Sequence, residues 1–138
     1  LLVPLEIRRQ KLKILAEGNF TGDILWTGEA LLNIVKNCME HTDEGGEIKI
    51  TASENALYSE IIIEDNGEGI SKKDLPHIFE RFYRVDKGRS REMGGTGLGL
   101  FISSHIVKAH NGNLFTTTRQ DKKSGAVFVI ELPVVAFN

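Results

Sequence analysis

Two Gly-rich signatures constrain this chain more than anything else in it: Asp65-Asn66-Gly67-Glu68-Gly69-Ile70 and Gly94-Gly95-Thr96-Gly97-Leu98-Gly99-Leu100. The first follows an apolar alternating run and the second opens an apolar helical pattern. Upstream of both, Glu29, Asn33, Asn37 and His41 recur every four residues. A step of four lags a full helical turn by only about 40°, so these four side chains line one edge of a helix. Leu31, Ile34, Val35 and Cys38 fall on the apolar face beside it. A polar helix edge, a strand that ends in a carboxylate, and a Gly-rich helix start with free N–H groups together describe a pocket for a phosphorylated purine.

The pattern gives a weak first strand around Gln10 to Ala16 and a helix from Trp26 to His41, with Thr27 as its cap. Strands follow at Glu47 to Ser53 and Leu57 to Asp65, joined as a hairpin through Glu54 and Asn55. A helix from Gly97 to Ala109 carries Leu98, Ile102, Ile106 and Ala109 on one stripe and stops at Asn111-Gly112. Two last strands run from Asn113 to Thr118 and from Ala126 to Leu132. The expected fold is an α+β two-layer sandwich, a mixed, mostly antiparallel sheet covered on one face by helices. Residues 1–138 read as one domain, and 66–95 as a long connection with only short helical turns, of a length that is usually functional.

Composition narrows the class. With 138 residues, 41% hydrophobic and 26% charged, the chain can bury about two thirds of its unfolded surface without disulfide or structural metal. Its one cysteine, Cys38, reads as a buried small hydrophobe rather than a reactive thiol. No run of about 18 apolar residues and no signal-peptide pattern is present, so a soluble piece is expected. The start at Leu1, without an initiator Met, reads as an excised fragment, with tag removal or processing as the alternatives. The net charge of -2 argues against a nucleic-acid partner. It hides a basic cluster, Arg81, Arg84, Lys87, Arg89 and Arg91, in which Asp86 is the only acid. A solvated loop is the plain reading of that run, whereas its place between the glycines suits an anion.

Period two puts Asp65 on the sheet face of Ile61 and Ile63, where its buried carboxylate needs donors such as an adenine amino group and ordered water. Asp-Asn-Gly is also strong turn chemistry, and Gly67 and Gly69 keep side chains out of the space a purine would fill. An amide oxygen such as that of Asn37 is a hard ligand for Mg²⁺. The second cluster is neither a dinucleotide fingerprint nor a P-loop, and eukaryotic-type kinase signatures are absent.

In these segments the chain resembles the catalytic and ATP-binding domain of histidine kinases, within the superfamily of gyrase B, Hsp90 and MutL (the Bergerat fold). Its four boxes correspond to Glu29 through Asn37, Asp65 through Ile70, Ile78 through Arg84, and Gly94 through Leu100, and the similarity spans Thr21 to Pro133. The resemblance implies ATP and Mg²⁺ as cofactors, with the metal on Asn37 and the adenine amino group on Asp65. Asn33, His41, Gly67, Gly69 and Ile70 would surround the nucleotide. Phe79 and Phe82 would anchor an ATP lid over 66–95. Arg84 and Arg89 would reach phosphates, and Gly95, Thr96, Gly97, Leu98 and Gly99 would form the hinge and the phosphate-facing helix start. Glu40 stands where a Lys is common, which removes one phosphate contact unless Lys36 compensates.

Asn33 stands where ATPases and serine-directed kinases of the superfamily carry a Glu base. An amide takes no proton, which disfavours hydrolysis and serine phosphorylation, while an imidazole already presents a lone pair to phosphorus. Glu29, one turn earlier, is open to two roles, a supporting partner behind the site or a substitute base. None of His41, His77, His105 and His110 lies in a phosphoacceptor pattern. The resemblance therefore implies an acceptor histidine on a separate dimerisation domain, a response regulator downstream, a homodimeric parent, and a cytoplasmic domain of a membrane sensor. A nucleotide-binding module without kinase activity, and an ATPase or serine-directed kinase, are the alternatives.

Overall fold

The computed structural model describes residues 11–16, 24–42, 46–83, 98–119, 121 and 123–133. Strand β1 (Lys11–Ala16) leads to helix α1 (Ile24–Glu40), then β2 (Glu47–Glu54) and β3 (Tyr58–Asp65). A 3-10 turn (Leu75–His77) precedes helix α2 (Gly99–Ala109), β4 (Asn113–Thr117) and β5 (Val127–Pro133). The five strands form one sheet in the order β1-β2-β3-β5-β4. Only β1 and β2 run parallel; the other three pairings are antiparallel.

The β2–β3 hairpin closes because Asn55 turns its side chain onto its own backbone, Oδ1 accepting from Leu57 N at 2.8 Å and Tyr58 N at 2.9 Å. Along β3, burial alternates from Ser59 through Ile61 and Ile63 to Asp65. That face meets α1, which buries Ala30, Ile34, Val35, Cys38 and Met39. Phe128 and Ile130 of β5 complete the layer between sheet and helices.

Two helical expectations need correction. Helix α1 already begins at Ile24, so Thr27 lies inside its first turn and is not its cap. In α2 the buried residues are Leu100, Ser103, Ser104 and Val107, while of the stripe Leu98, Ile102, Ile106 and Ala109 it is Ile106 that packs, half-buried, against the core. The reason is close helix packing: Ser103 is small and donates its hydroxyl to the Ala30 carbonyl of α1 at 2.8 Å, which satisfies a buried polar group while the helices touch. The end of α2 agrees with expectation. Asn111 adopts φ 62°, and Gly112 N returns to the Val107 carbonyl at 2.9 Å.

Candidate nucleotide site

Asp65 is the last residue of β3 and is 1% exposed. Its Oδ1 accepts from Gly67 N and from Ala126 N, both at 3.0 Å. Its Oδ2 is buried and, among the described residues, has no hydrogen-bond partner. Leaving such an acceptor unmet costs on the order of 1–3 kcal/mol. A ligand N–H is the natural complement to a carboxylate held this way.

Cys38 reaches the same place from α1. Burial, and then the neighbouring Asp65 carboxylate, push the Cys38 thiol well above its usual pKa. It is therefore a neutral thiol, in keeping with the sequence reading of a buried small hydrophobe.

The loop after Asp65 is fitted to α1. A Cβ on Gly67 would lie 2.3 Å from the His41 carbonyl oxygen, so this glycine makes room for the end of the helix. The sequence reading had that space serve a purine; the atoms the missing side chain accommodates are backbone. Gly69 adopts φ 82° and faces the Gly125 backbone, while Asn66 Oδ1 accepts from Glu47 N at 2.8 Å and ties the turn to β2.

At the other end of the polar edge, the start of α2 packs on Asn33: a Cβ on Gly99 would be 3.7 Å from Asn33 Cβ. The N-cap residue of α2 is Leu98, which offers no side-chain acceptor to the first-turn N–H groups. Asn33, Asn37 and His41 are half-buried and Glu29 is exposed. From Asn33 to His41 the helix rises about 12 Å. The carboxylate loop and the Gly-rich helix start thus bracket Asn37, one at each end of the same edge.

Ile70 and Phe79 pack against the core, and Phe79 meets Phe128 edge to face with centroids 6.4 Å apart. Phe82 lies outside the packed core. Its φ of 67° turns the chain there, and it is 64% exposed. The segment is instead fastened by Tyr83, whose hydroxyl donates to Asp74 Oδ1 and whose ring stacks on His77, and by Arg81, 4.9 Å over the Phe101 ring of α2. Arg84, Arg89, Gly95, Thr96 and Gly97, with the later part of the 66–95 stretch, lie outside the described residues.

Residues 22–136 match the family described as "Histidine kinase-, DNA gyrase B-, and HSP90-like ATPase". The chain belongs to this family. Sensor histidine kinase WalK of Bacillus subtilis (strain 168) is 41% identical over 106 residues, 74% of this chain and 17% of that protein. Sensor histidine kinase RppB of Synechocystis sp. is 40% identical over 114 residues, 79% of this chain and 25% of that protein. The chain therefore spans a quarter or less of these two relatives. A nucleotide-free catalytic domain of histidine kinase ThkA superposes with a TM-score of 0.79 at 26% identity, covering 96% of this chain and 84% of that one. Within the histidine kinase-like ATPase family the chain is thus an ATP-binding catalytic domain of the sensor histidine kinase type. Among the described residues no helix is long and apolar enough to cross a membrane.

Two contributors to the site were missed by the sequence reading. Arg119 donates through Nη1 to the Asp65 carbonyl at 2.8 Å, and Gly125 approaches that oxygen so closely that a Cβ there would lie 2.0 Å from it. Gly125 opens a tail, through Pro133, that is also similar to the family, but nothing local ties it or Arg119 to Asp65; the antiparallel pairing of β3 and β5, read beyond Glu64↔Val127, is the signal that could have suggested them.

Proposed function

We propose that this domain binds Mg-ATP and transfers its γ-phosphoryl group to a histidine on a separate dimerisation domain, for onward transfer to an aspartate of a response regulator. The buried Oδ2 of Asp65, which has no hydrogen-bond partner among the described residues, carries the reading. It would accept the adenine amino N–H, while Gly67, Gly69 and Ile70 shape the loop around the base.

Asn37 would hold Mg²⁺ midway along the helix edge. Among the described residues no three His, Cys, Asp or Glu side chains gather into a metal-binding group. That fits a metal shared between one amide, water and phosphate oxygens. Bound there, Mg²⁺ supplies neutralisation of charge on the transferring phosphoryl group. Asn33 and the start of α2 at Gly99 would position the triphosphate, joined by Arg84, Arg89 and the Gly95-Thr96-Gly97 hinge. With an amide at Asn33 and Glu29 exposed one turn before it, activation of water is disfavoured over attack by an incoming imidazole. The parent would be a homodimeric membrane sensor with this domain in the cytoplasm.

Titration with ATP and a non-hydrolysable analogue, with and without Mg²⁺, tests binding. Asp65→Asn is expected to weaken affinity by about 100-fold, by replacing a charged acceptor with an amide. Asn37→Ala should abolish the Mg²⁺ enhancement. Phosphotransfer to a supplied helical-hairpin domain should give acid-labile phosphate on that domain and negligible label on this chain. Unchanged affinity in Asp65→Asn, or strong self-labelling, would overturn the assignment.

A further inference from the structure

Asp65 is gripped almost entirely from one loop. Its N–H donates to the Ala126 carbonyl at 3.0 Å, its Oδ1 accepts from Ala126 N at 3.0 Å, and its own carbonyl accepts from Arg119 Nη1 at 2.8 Å. Arg119 is in turn fixed by a two-pronged contact to Asp121, Nε to Oδ1 at 3.1 Å and Nη2 to Oδ2 at 2.7 Å. The Asp121 carboxylate also accepts from Lys123 N at 3.0 Å. The side chain of Arg119 is 17% exposed, and its Cδ lies 3.0 Å from where a Cβ on Gly125 would be.

We infer that Arg119, clamped by Asp121, is a positioning residue for the base-reading carboxylate of Asp65. The inference rests on the nucleotide site proposed above. Its physical basis is the place of the contact. Asp65 is where a regular strand gives way to a Gly-rich turn; the N–H end of the peptide plane that follows it is tied by Asn66 N to the Glu47 carbonyl at 3.2 Å, and Arg119 holds the carbonyl end. A cationic fork on the Asp65 carbonyl fixes that plane, and with it the direction in which Cβ and Oδ2 project. Arg119 touches no nucleotide atom in this role. Lysine lacks the fork, so it can meet the carbonyl or Asp121 but not hold both in one geometry.

Displacement of a fluorescent ATP analogue by ATP and by GTP, on the whole chain and its variants, separates positioning from simple stapling of the loop. Loss of folded protein lowers the number of sites and leaves the ATP-to-GTP affinity ratio unchanged. A misdirected carboxylate changes that ratio, because Oδ2 reads the exocyclic group that differs between the bases. Arg119→Ala is expected to weaken ATP about tenfold and to shrink the ATP-to-GTP preference by a similar factor. Arg119→Lys should recover part of both. Should Arg119→Ala fail to fold, Asp121→Asn, which keeps the guanidinium but loosens its clamp, is expected to show the same change in ratio at about threefold. An ATP affinity and preference equal to the parent chain in the folded variants would overturn the inference alone. Failure of the parent chain itself to bind ATP would overturn the proposed function and the inference with it.

Discussion

Gly67 and His41 meet backbone to backbone: a single methyl group on the glycine would stand 2.3 Å from the histidine carbonyl oxygen. The carboxylate loop is therefore seated on the end of α1, and Gly67→Ala must push it away. The expected cost is about 2 kcal/mol of stability, with ATP affinity falling further than the stability loss explains, because Asp65 moves with the loop. Denaturant unfolding and nucleotide titration of the same variant check both parts.

Gly125→Ala should be the more damaging change. The residue has φ 142°, which side chains rarely adopt, and its Cβ would lie 2.0 Å from the Asp65 carbonyl. A loss of about 3 kcal/mol or more is expected, since backbone strain and steric overlap act together. A thermal midpoint equal to that of the parent would contradict this geometry.

Ser103→Ala removes the hydroxyl that joins the two helices through the Ala30 carbonyl. Only about 1 kcal/mol is expected to go, because the methyl still fits and that carbonyl remains within a helix. Ser103→Leu, by contrast, should force α1 and α2 apart and cost about 2–3 kcal/mol. The order of the two substitutions in denaturant midpoint is the measurement.

Cys38 should resist alkylation in the native state at pH 8 and react on unfolding, because it is fully buried and its thiol pKa is raised. The sign of the linkage follows. A raised folded-state pKa contributes stability below the unfolded value, and that contribution is lost as pH rises through the window between the two values. Unfolding free energy should thus decline above about pH 9, the ordinary thiol value, by at most about 1.4 kcal/mol per pH unit. Comparison of the parent with Cys38→Ala across pH 8 to about 10 isolates that component.

Much of this was legible in the residues. Alternation along β3 announced that Asp65 would share the buried face of Ile61 and Ile63, and it does. The four-residue recurrence on α1 placed Asn33, Asn37 and His41 on one edge, and contacts with Gly99 and Gly67 fall at its two ends. The face of α2 was misread because apolarity was used as the sign of burial, whereas Ser103 and Ser104 are buried for their size and, at Ser103, for a cross-helix hydrogen bond. Phe82, given by the resemblance as a lid anchor, stands in solvent at a left-handed turn, a placement that no periodicity in the sequence announces. Arg119 could not be found locally, since its partner carbonyl lies 54 positions away and a basic side chain among polar neighbours looks like ordinary surface.

The contacts at Asn33 and His41 make α1 a ruler as well as a wall. One residue inserted between them would lengthen that interval by about 1.5 Å and swing one end around the axis by about 100°. In the proposed nucleotide site, base and phosphate would then be addressed from different sides of the rod. An exposed position such as Lys36 can be exchanged without moving either end, but the residue count cannot change.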